Sequence, residues 1–78
     1  MNTRQLVLKA RNLLNMTAEE FSYMIGYSTR QVYRWESGES EPGGSAVIKI
    51  IKLCKERGIN LDDLVFFYDV RVIVYFLY

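Results

Sequence analysis

Apolar residues recur at the spacing of an α-helix through most of the chain, and polar or glycine residues interrupt them. The first helical segment begins near Asn2 or Thr3 and ends at Asn15. Asn2 and Gln5 have the spacing of a reciprocal cap over the first free amides. The inner face of this helix is predicted to consist of Leu6, Ala10, Leu13 and Leu14.

Two capping boxes define the starts of the second and third helices. In the first box, Thr17 precedes Glu20 by three residues, so each side chain can bond the backbone amide of the other residue. In the second box, Ser28 precedes Gln31 by the same interval. Inward-facing side chains are predicted at Phe21, Met24 and Ile25 in the second helix and at Val32 and Trp35 in the third.

A very short connection joins these two helices. Gly26 is expected to end the second helix, because glycine readily adopts the positive φ of a helix C-terminus. Gly38 is expected to end the third helix in the same way, just after Ser37. Only Tyr27 separates Gly26 from the next cap, and two helices joined by so short a turn cross steeply in a helix-turn-helix arrangement.

A loop rich in small and rigid residues, over positions 39–45, precedes a fourth helix. We expect Ser45 to cap this helix, which would run through Arg57 and stop at Gly58. Its inner face is predicted to consist of Val47, Ile50, Ile51 and Cys54. Its outer face carries Lys49, Lys52 and Lys55, a pattern more typical of a solvated stripe than of a row of phosphate contacts.

The last part of the chain changes in character. Asn60 is predicted to cap a short fifth helix that runs from Leu61 to about Tyr68. The residues from Val70 to Tyr78 are almost all β-branched or aromatic, which is typical of a strand. The chain therefore combines a set of helices with one C-terminal strand.

Composition excludes several classes of function. The chain has 78 residues, half of them hydrophobic, which is enough for one folded domain. It has no histidine and one cysteine, so we expect no metal site, no cofactor and no enzyme activity. Cys54 is interpreted as a small buried hydrophobe in a reducing cytoplasm. The apolar end is shorter than the roughly 20 residues of a membrane helix, and residues 1–14 do not resemble a secretory signal.

Charge is distributed unevenly but weakly. The net charge is +1, with +2 over residues 1–38 and −1 over residues 39–78. So small an excess of positive charge neither supports nor excludes nucleic acid as a partner. A case for DNA binding must therefore depend on local geometry.

Residue types at fixed spacings resemble a known family. Ser22 is small where the two central helices pack closest, Gly26 lies at the turn four residues later, and Val32 follows after six more. The tetrapeptide WESG at 35–38, with Pro42 beyond it, matches a frequent ending of the family's recognition helix. This combination resembles the Cro/repressor-type (XRE) helix-turn-helix family of DNA-binding proteins.

The resemblance covers about residues 4–58 and has structural and functional implications. It implies a repressor-type helix-turn-helix fold. Together with the residue patterns, this predicts a mainly α fold, a five-helix helix-turn-helix domain over residues 1–68 with a C-terminal β-strand over residues 69–78. The strand is predicted from the residue pattern alone, because the tail from Val70 to Tyr78 does not match the family. The resemblance also implies an ion pair between Arg11 of the first helix and Glu36 of the third. The expected function is that of a sequence-specific transcriptional regulator, a repressor that binds a palindromic operator in double-stranded DNA as a homodimer.

In such proteins the third helix lies in the major groove. The base-reading residues are predicted to be Thr29, Arg30, Tyr33 and Arg34. Arginine can bond guanine through two hydrogen bonds, and threonine offers both a hydroxyl and a methyl group. Phosphate contacts are predicted at Thr17, Ser28 and Gln31, near two helix N-termini. For Arg30, Gln31, Tyr33 and Arg34, a merely solvated helix face is the alternative interpretation.

Some residues depart from the family pattern. Ala18 occupies a position where many phage repressors have a phosphate-binding glutamine, and Glu39 and Glu41 bring negative charge to a loop that often borders DNA. These departures keep a second hypothesis open. On it, the chain is a protein-interaction module, such as an antitoxin or an assembly factor, that has the fold without the DNA binding.

The C-terminal strand is predicted to be a dimerisation element. Every residue from Val72 onward is apolar or aromatic, so both faces of the strand need cover. Antiparallel pairing with the same strand of a second copy would provide that cover. The pairing residues would be Val70, Val72, Val74 and Phe76. The alternative is that the strand folds back onto the helices of its own chain.

Overall fold

The computed structural model describes residues 3–60, which form four α-helices. In chain order these are α1 (Thr3–Leu14), α2 (Ala18–Ile25), α3 (Thr29–Ser37) and α4 (Gly44–Glu56). The described part of the chain is all helix and turn, as the mainly α prediction requires. The predicted fifth helix and C-terminal strand, with their dimerisation residues, lie outside the described residues.

Local side-chain bonds fix the starts of α2 and α3, and both predicted capping boxes are confirmed. The Glu20 backbone amide donates to Thr17 Oγ1 at 3.1 Å, and the Thr17 amide donates to Glu20 Oε1 at 3.2 Å. Ser28 and Gln31 make the same pair of bonds, each 3.1 Å long. A side chain of this kind at a helix start stabilises the helix by about 1 kcal/mol.

Glycines in the left-handed region end α2 and α3. Gly26 has φ 76° and Gly38 has φ 83°, so both predicted stop positions are confirmed. The amide of Gly26 donates to the carbonyl of Tyr23 at 3.3 Å, which satisfies one of the free acceptors of the last turn of α2. The chain can therefore reverse direction within two residues and begin α3.

The core lies where the four helices meet. α1 and α2 each pack against both α3 and α4. The core side chains are Leu6, Val7, Ala10, Ala18, Phe21, Ile25, Val32, Trp35, Ala46, Ile50, Leu53 and Cys54. Phe21 and Ile50 are the largest of those that are fully buried. The predicted burial of Val32 and Trp35 is confirmed, which orients α3 with most of its polar side chains outward.

Burial also corrects two predictions for the inner faces of the helices. Met24 was expected to face inward, but 42% of it is exposed, whereas Ser22, expected from the family spacing to lie where the helices pack closest, is 4% exposed. In α4 the buried set includes Ala46 and Leu53, whereas Val47 is only half-buried against the core. In both helices the buried stripe is displaced from the one that residue type alone indicates.

The start of α4 differs from the prediction as well. Gly43 is the N-cap and makes no side-chain cap bond, so Ser45 lies one residue inside the helix and does not cap it. The Ser45 hydroxyl is instead 3.1 Å from the hydroxyl of Tyr27. The helix ends at Glu56, close to the predicted end, and Gly58 follows with φ 78°.

Cys54 is fully buried in the core, as predicted. Burial raises the pKa of its thiol, because removal from water disfavours the thiolate. A buried, protonated thiol is a poor nucleophile, so Cys54 serves as a packing residue.

Candidate nucleic-acid interface

The unit formed by α2, the turn and α3 is held together by backbone and aromatic contacts. The backbone N–H of Tyr27 donates to the carbonyl of Ser22 at 3.0 Å. The Tyr27 ring meets the Trp35 ring nearly edge-on, with the ring centroids 5.2 Å apart and the planes at 65°. Because Trp35 belongs to the core, this contact fixes the turn to the inner face of α3.

The two sides of α3 differ sharply in chemistry. Val32 and Trp35 are buried, at 0% and 4% exposure. The opposite side presents the polar residues Arg30, Gln31, Tyr33 and Arg34, all of them exposed. Three of the four predicted base-reading side chains therefore share one accessible surface, while the fourth, Thr29, is half-buried at its edge. We call this surface the α3 outer face.

Acidic side chains border the α3 outer face. The phenol of Tyr33 donates to Glu19 Oε1 of α2 at 3.4 Å. Arg34 Nε lies 3.8 Å from Glu39 Oε1, with both side chains well exposed. Exposed pairs of this kind contribute about 0–1 kcal/mol, so a phosphate or a base edge can displace them. Arg30 has no ion pair or side-chain hydrogen bond with another residue between 3 and 60.

The two helix N-termini differ as anion sites. The first turn of α2 contains Glu19 and Glu20, whereas the first turn of α3 has no acidic residue. The positive end of the α3 dipole is therefore not offset by a carboxylate of its own first turn. The predicted phosphate residues Ser28 and Gln31 lie at that end and are exposed, although their side chains are already engaged in the capping box. The third predicted phosphate residue, Thr17, is the N-cap of α2, next to Glu19 and Glu20, which makes its surroundings less favourable for an anion.

Comparison with known protein families identifies the family to which this arrangement of helices belongs. A family model described as Helix-turn-helix matches residues 7–64, about three quarters of the chain. The chain belongs to this helix-turn-helix family. The match supports a DNA-binding regulatory role in general, as the resemblance to the Cro/repressor type indicated. Comparisons with curated proteins and with solved structures gave no match.

An ion pair ties α1 to the recognition helix of the helix-turn-helix unit. Arg11 Nη2 lies 2.7 Å from Glu36 Oε1 and donates to Glu36 Oε2 at 3.0 Å. The Glu36 side chain is 9% exposed and that of Arg11 is 29% exposed. Arg11 Nε and Glu36 Oε1 are buried and have no hydrogen-bond partner between residues 3 and 60. Nη2 contacts both carboxylate oxygens, and the pair therefore lacks the two parallel N–H···O bonds of a bidentate contact. The ion pair expected from the resemblance is present.

Sequence reasoning missed a second arginine at the same place. Arg4 Nε donates to the backbone carbonyl of Glu36 at 2.6 Å, in the last turn of α3. A cation near the C-terminus of a helix is favoured by the helix dipole. Arg4 and Arg11 lie seven residues apart, which places them on the same face of α1. That spacing could have indicated that both approach the same neighbour.

A lysine from α4 supports the turn of the helix-turn-helix unit and was likewise missed. Lys49 Nζ lies 5.2 Å from the centroid of the Tyr27 ring. The Tyr27 ring is half-buried and Lys49 is exposed, and a contact of this kind contributes about 0.5–2 kcal/mol. All three lysines of the outer face of α4 are exposed, and Lys49 also contacts the turn of the helix-turn-helix unit.

The described residues contain neither a membrane-spanning helix nor a metal-binding cluster. Between residues 3 and 60 there is no helix long and apolar enough to cross a membrane. Within the same range, no group of three or more histidine, cysteine or acidic residues is placed to hold a metal ion.

Proposed function

We propose that this protein is a sequence-specific transcriptional regulator, a cytoplasmic repressor that inserts α3 into the major groove of DNA. The observation that carries the proposal is the two-sided character of α3. Its inner side is anchored by buried Val32 and Trp35, and its outer face exposes Arg30, Tyr33 and Arg34. A helix held rigidly by its apolar side can present its polar side to base edges with little loss of entropy on binding.

Each side chain of the α3 outer face has a chemical role in this proposal. Arg30 is unpaired within residues 3–60 and supplies the bidentate donor set that recognises guanine. Arg34 exchanges its weak contact with Glu39 for a base edge or a phosphate. Tyr33 contacts a thymine methyl group or a phosphate. Ser28 and Gln31 place the N-terminus of α3 against a phosphate, where the backbone amides and the helix dipole both favour an anion.

The operator is proposed to be a palindrome bound by a homodimer. The sequence supports this proposal, because the apolar end of the chain, with Val70, Val72, Val74 and Phe76, needs a partner surface. Two copies related by a two-fold axis would place their recognition helices roughly 34 Å apart, one turn of DNA. Sedimentation of a chain ending at Asp69 tests this step. A truncated protein that remains a dimer at the same concentration would show that the last nine residues are not the contact.

The acidic border of the α3 outer face has a proposed consequence for selectivity. Glu19 and Glu39 repel the phosphate backbone at every sequence, whereas base contacts reward only the correct one. The protein is therefore expected to bind nonspecific DNA weakly and to depend on base contacts for its affinity. Competition with bulk genomic DNA at several salt concentrations measures this property.

The central experiment is a binding titration with single substitutions. A fluorescent duplex carrying the DNA upstream of the protein's own gene, or a duplex selected from a random pool, is titrated with wild type, Arg30→Ala and Arg34→Ala. Loss of a good bidentate base contact costs about 1–3 kcal/mol, or about 5- to 150-fold in affinity. Lys55→Ala, which removes an exposed positive charge on α4, is the matched control and should change affinity far less. Wild-type affinity in both arginine variants would refute the placement of α3.

One observation favours the second candidate, a protein-interaction module on the same fold. Tyr23 of α2 is 85% exposed and Met24 beside it is 42% exposed, and both residue types are common at protein interfaces. The same titration separates the two functions. If wild type binds no duplex from a random pool above its nonspecific affinity, and Tyr23→Ser abolishes capture of a protein partner, the interaction module replaces the repressor.

A further inference from the structure

Two hydroxyl groups, one on α2 and one on α3, meet at the edge of the α3 outer face. Ser22 Oγ donates to the backbone carbonyl of Glu19 at 2.9 Å, and it lies 3.0 Å from Thr29 Oγ1. Ser22 is 4% exposed, so water has little access to its hydroxyl. Thr29 is the first residue of α3 and is half-buried. The buried hydroxyl thus touches a residue at the front of the recognition helix.

The number of available protons determines the direction of these bonds. A hydroxyl has one proton to donate and two lone pairs that accept. The carbonyl of Glu19 can only accept, so the proton of Ser22 is used there. The bond between the two hydroxyls must then be donated by Thr29. The reverse direction would leave Ser22 Oγ and the Glu19 carbonyl oxygen 2.9 Å apart with no proton between them, which is unfavourable.

We propose that Thr29 acts toward DNA as a hydrogen-bond acceptor only. Its proton is committed to Ser22, so only lone pairs remain on Oγ1. In the major groove the donors are the exocyclic amines of adenine and cytosine, whereas guanine and thymine present acceptors. Thr29 therefore selects an amine-bearing base on the strand it faces and disfavours guanine or thymine there. This inference rests on the proposed function and adds a polarity to one of its base contacts.

Ser22 is consequently a positioning residue for specificity, although it is buried and cannot touch DNA. Its side chain determines which way the proton of Thr29 points. Without it, Thr29 would be free to donate to N7, O6 or O4 as well as to accept, and the choice between base types would weaken.

The test compares selected binding sites across four proteins. Wild type, Thr29→Ser, Thr29→Val and Ser22→Ala are each used to select duplexes from a random pool, after far-UV circular dichroism has shown that each is folded. Wild type and Thr29→Ser, which keeps the hydroxyl, should both prefer adenine or cytosine at one position of each half-site. Thr29→Val should lose that preference, and Ser22→Ala should tolerate guanine or thymine there.

A base analogue gives a direct readout at the same position. Deleting the amine, with purine in place of adenine or 2-pyrimidinone in place of cytosine, should weaken wild-type binding by about two- to tenfold, the effect of one net hydrogen bond. The same deletion should affect Thr29→Val much less, which corrects for the weakened base pair. Preference for guanine or thymine at the position that depends on Thr29, or identical selected sites for wild type and Thr29→Val, would overturn the inference. If wild type selects an operator, the proposed function survives that failure. If wild type selects no sequence at all, both are wrong.

Discussion

The ion pair between Arg11 and Glu36 offers a quantitative test of how α3 is held in place. The perturbations are Arg11→Met and Glu36→Gln, which keep most of each side chain's volume, and the double variant. Arg11→Met should be the more damaging, because it leaves a carboxylate at 9% exposure without its countercharge. Glu36→Gln leaves an arginine that is 29% exposed and can reach water. The asymmetry follows from which ion remains buried.

The size of the effect lies between two limits. Two unit charges about 4 Å apart attract by about 4 kcal/mol at an effective dielectric constant of about 20. Desolvation of Glu36 offsets part of this attraction. Exposed pairs contribute about 0–1 kcal/mol, and breaking fully buried pairs costs about 3–5 kcal/mol. For a pair with one buried and one partly exposed member we expect about 2–3 kcal/mol for Arg11→Met and a coupling of about 1–2 kcal/mol in the double-mutant cycle. A loss of that size would lower the Tm by about 10–20 °C in a domain of this length.

Urea or thermal unfolding followed by circular dichroism, at equal protein concentrations, measures these values. The chain contains a matched control in the pair formed by Arg34 and Glu39, which are 3.8 Å apart and exposed at 46% and 65%. The cycle through Arg34→Met and Glu39→Gln should give a coupling near zero. A coupling for Arg11 and Glu36 no larger than that of the control would refute the assignment of this contact as a tie between α1 and α3.

Three further outcomes are expected. Gly26→Ala should lower the free energy of unfolding by about 1–2 kcal/mol through backbone strain at φ 76° alone, because a Cβ there would meet nothing closer than Lys49 Nζ at 3.9 Å. Gly44→Ala, at the start of α4, is the control and should be neutral or stabilising; equal unfolding free energies for the two variants would contradict this. Because the pKa of the Cys54 thiol is raised, the folded state keeps this proton at a pH where the unfolded chain loses it. Wild type should therefore lose stability relative to Cys54→Ala as pH rises above about 8.5, and not below it. Parallel pH profiles of the unfolding free energy for the two proteins would argue against the shift. Glu19→Gln should raise DNA affinity by about two- to fivefold at moderate salt, because it removes a carboxylate beside Tyr33. Glu56→Gln, at the far end of α4, is the control and should leave the affinity unchanged. A lower affinity in Glu19→Gln would contradict the role assigned to the acidic border.

Local interactions made much of the fold predictable from the sequence. The capping boxes at Thr17 and Ser28 and the glycines at 26 and 38 act within three or four residues of the chain. Their chemistry therefore determines where α2 and α3 begin and end, whatever surrounds them. The inward direction of Val32 and Trp35 followed in the same way, because their spacing puts them one turn apart on one side of α3. The contact between Arg11 and Glu36, which spans 25 residues, came from resemblance and not from any local pattern.

The tertiary structure decided which side chains share a surface. Ser22 lies on the buried stripe of α2 with Phe21 and Ile25, and its small hydroxyl is tolerated there because Glu19 and Thr29 satisfy it. Residue type alone placed Met24 inside, and only the family spacing placed Ser22 where the helices pack closest. The structure leaves Met24 exposed, and the small serine side chain fits the close packing against α3.

The same physical reason limits what the sequence could predict about the α3 outer face. The sequence by itself determined that α3 carries arginines and a tyrosine opposite its apolar side, because that depends only on helical periodicity. It could not determine that Glu19 lies against Tyr33, that Arg4 reaches the end of α3, or that the proton of Thr29 is committed to Ser22. Each of these contacts joins residues from different helices, and their distances exist only once the core between the helices has set the position of each one.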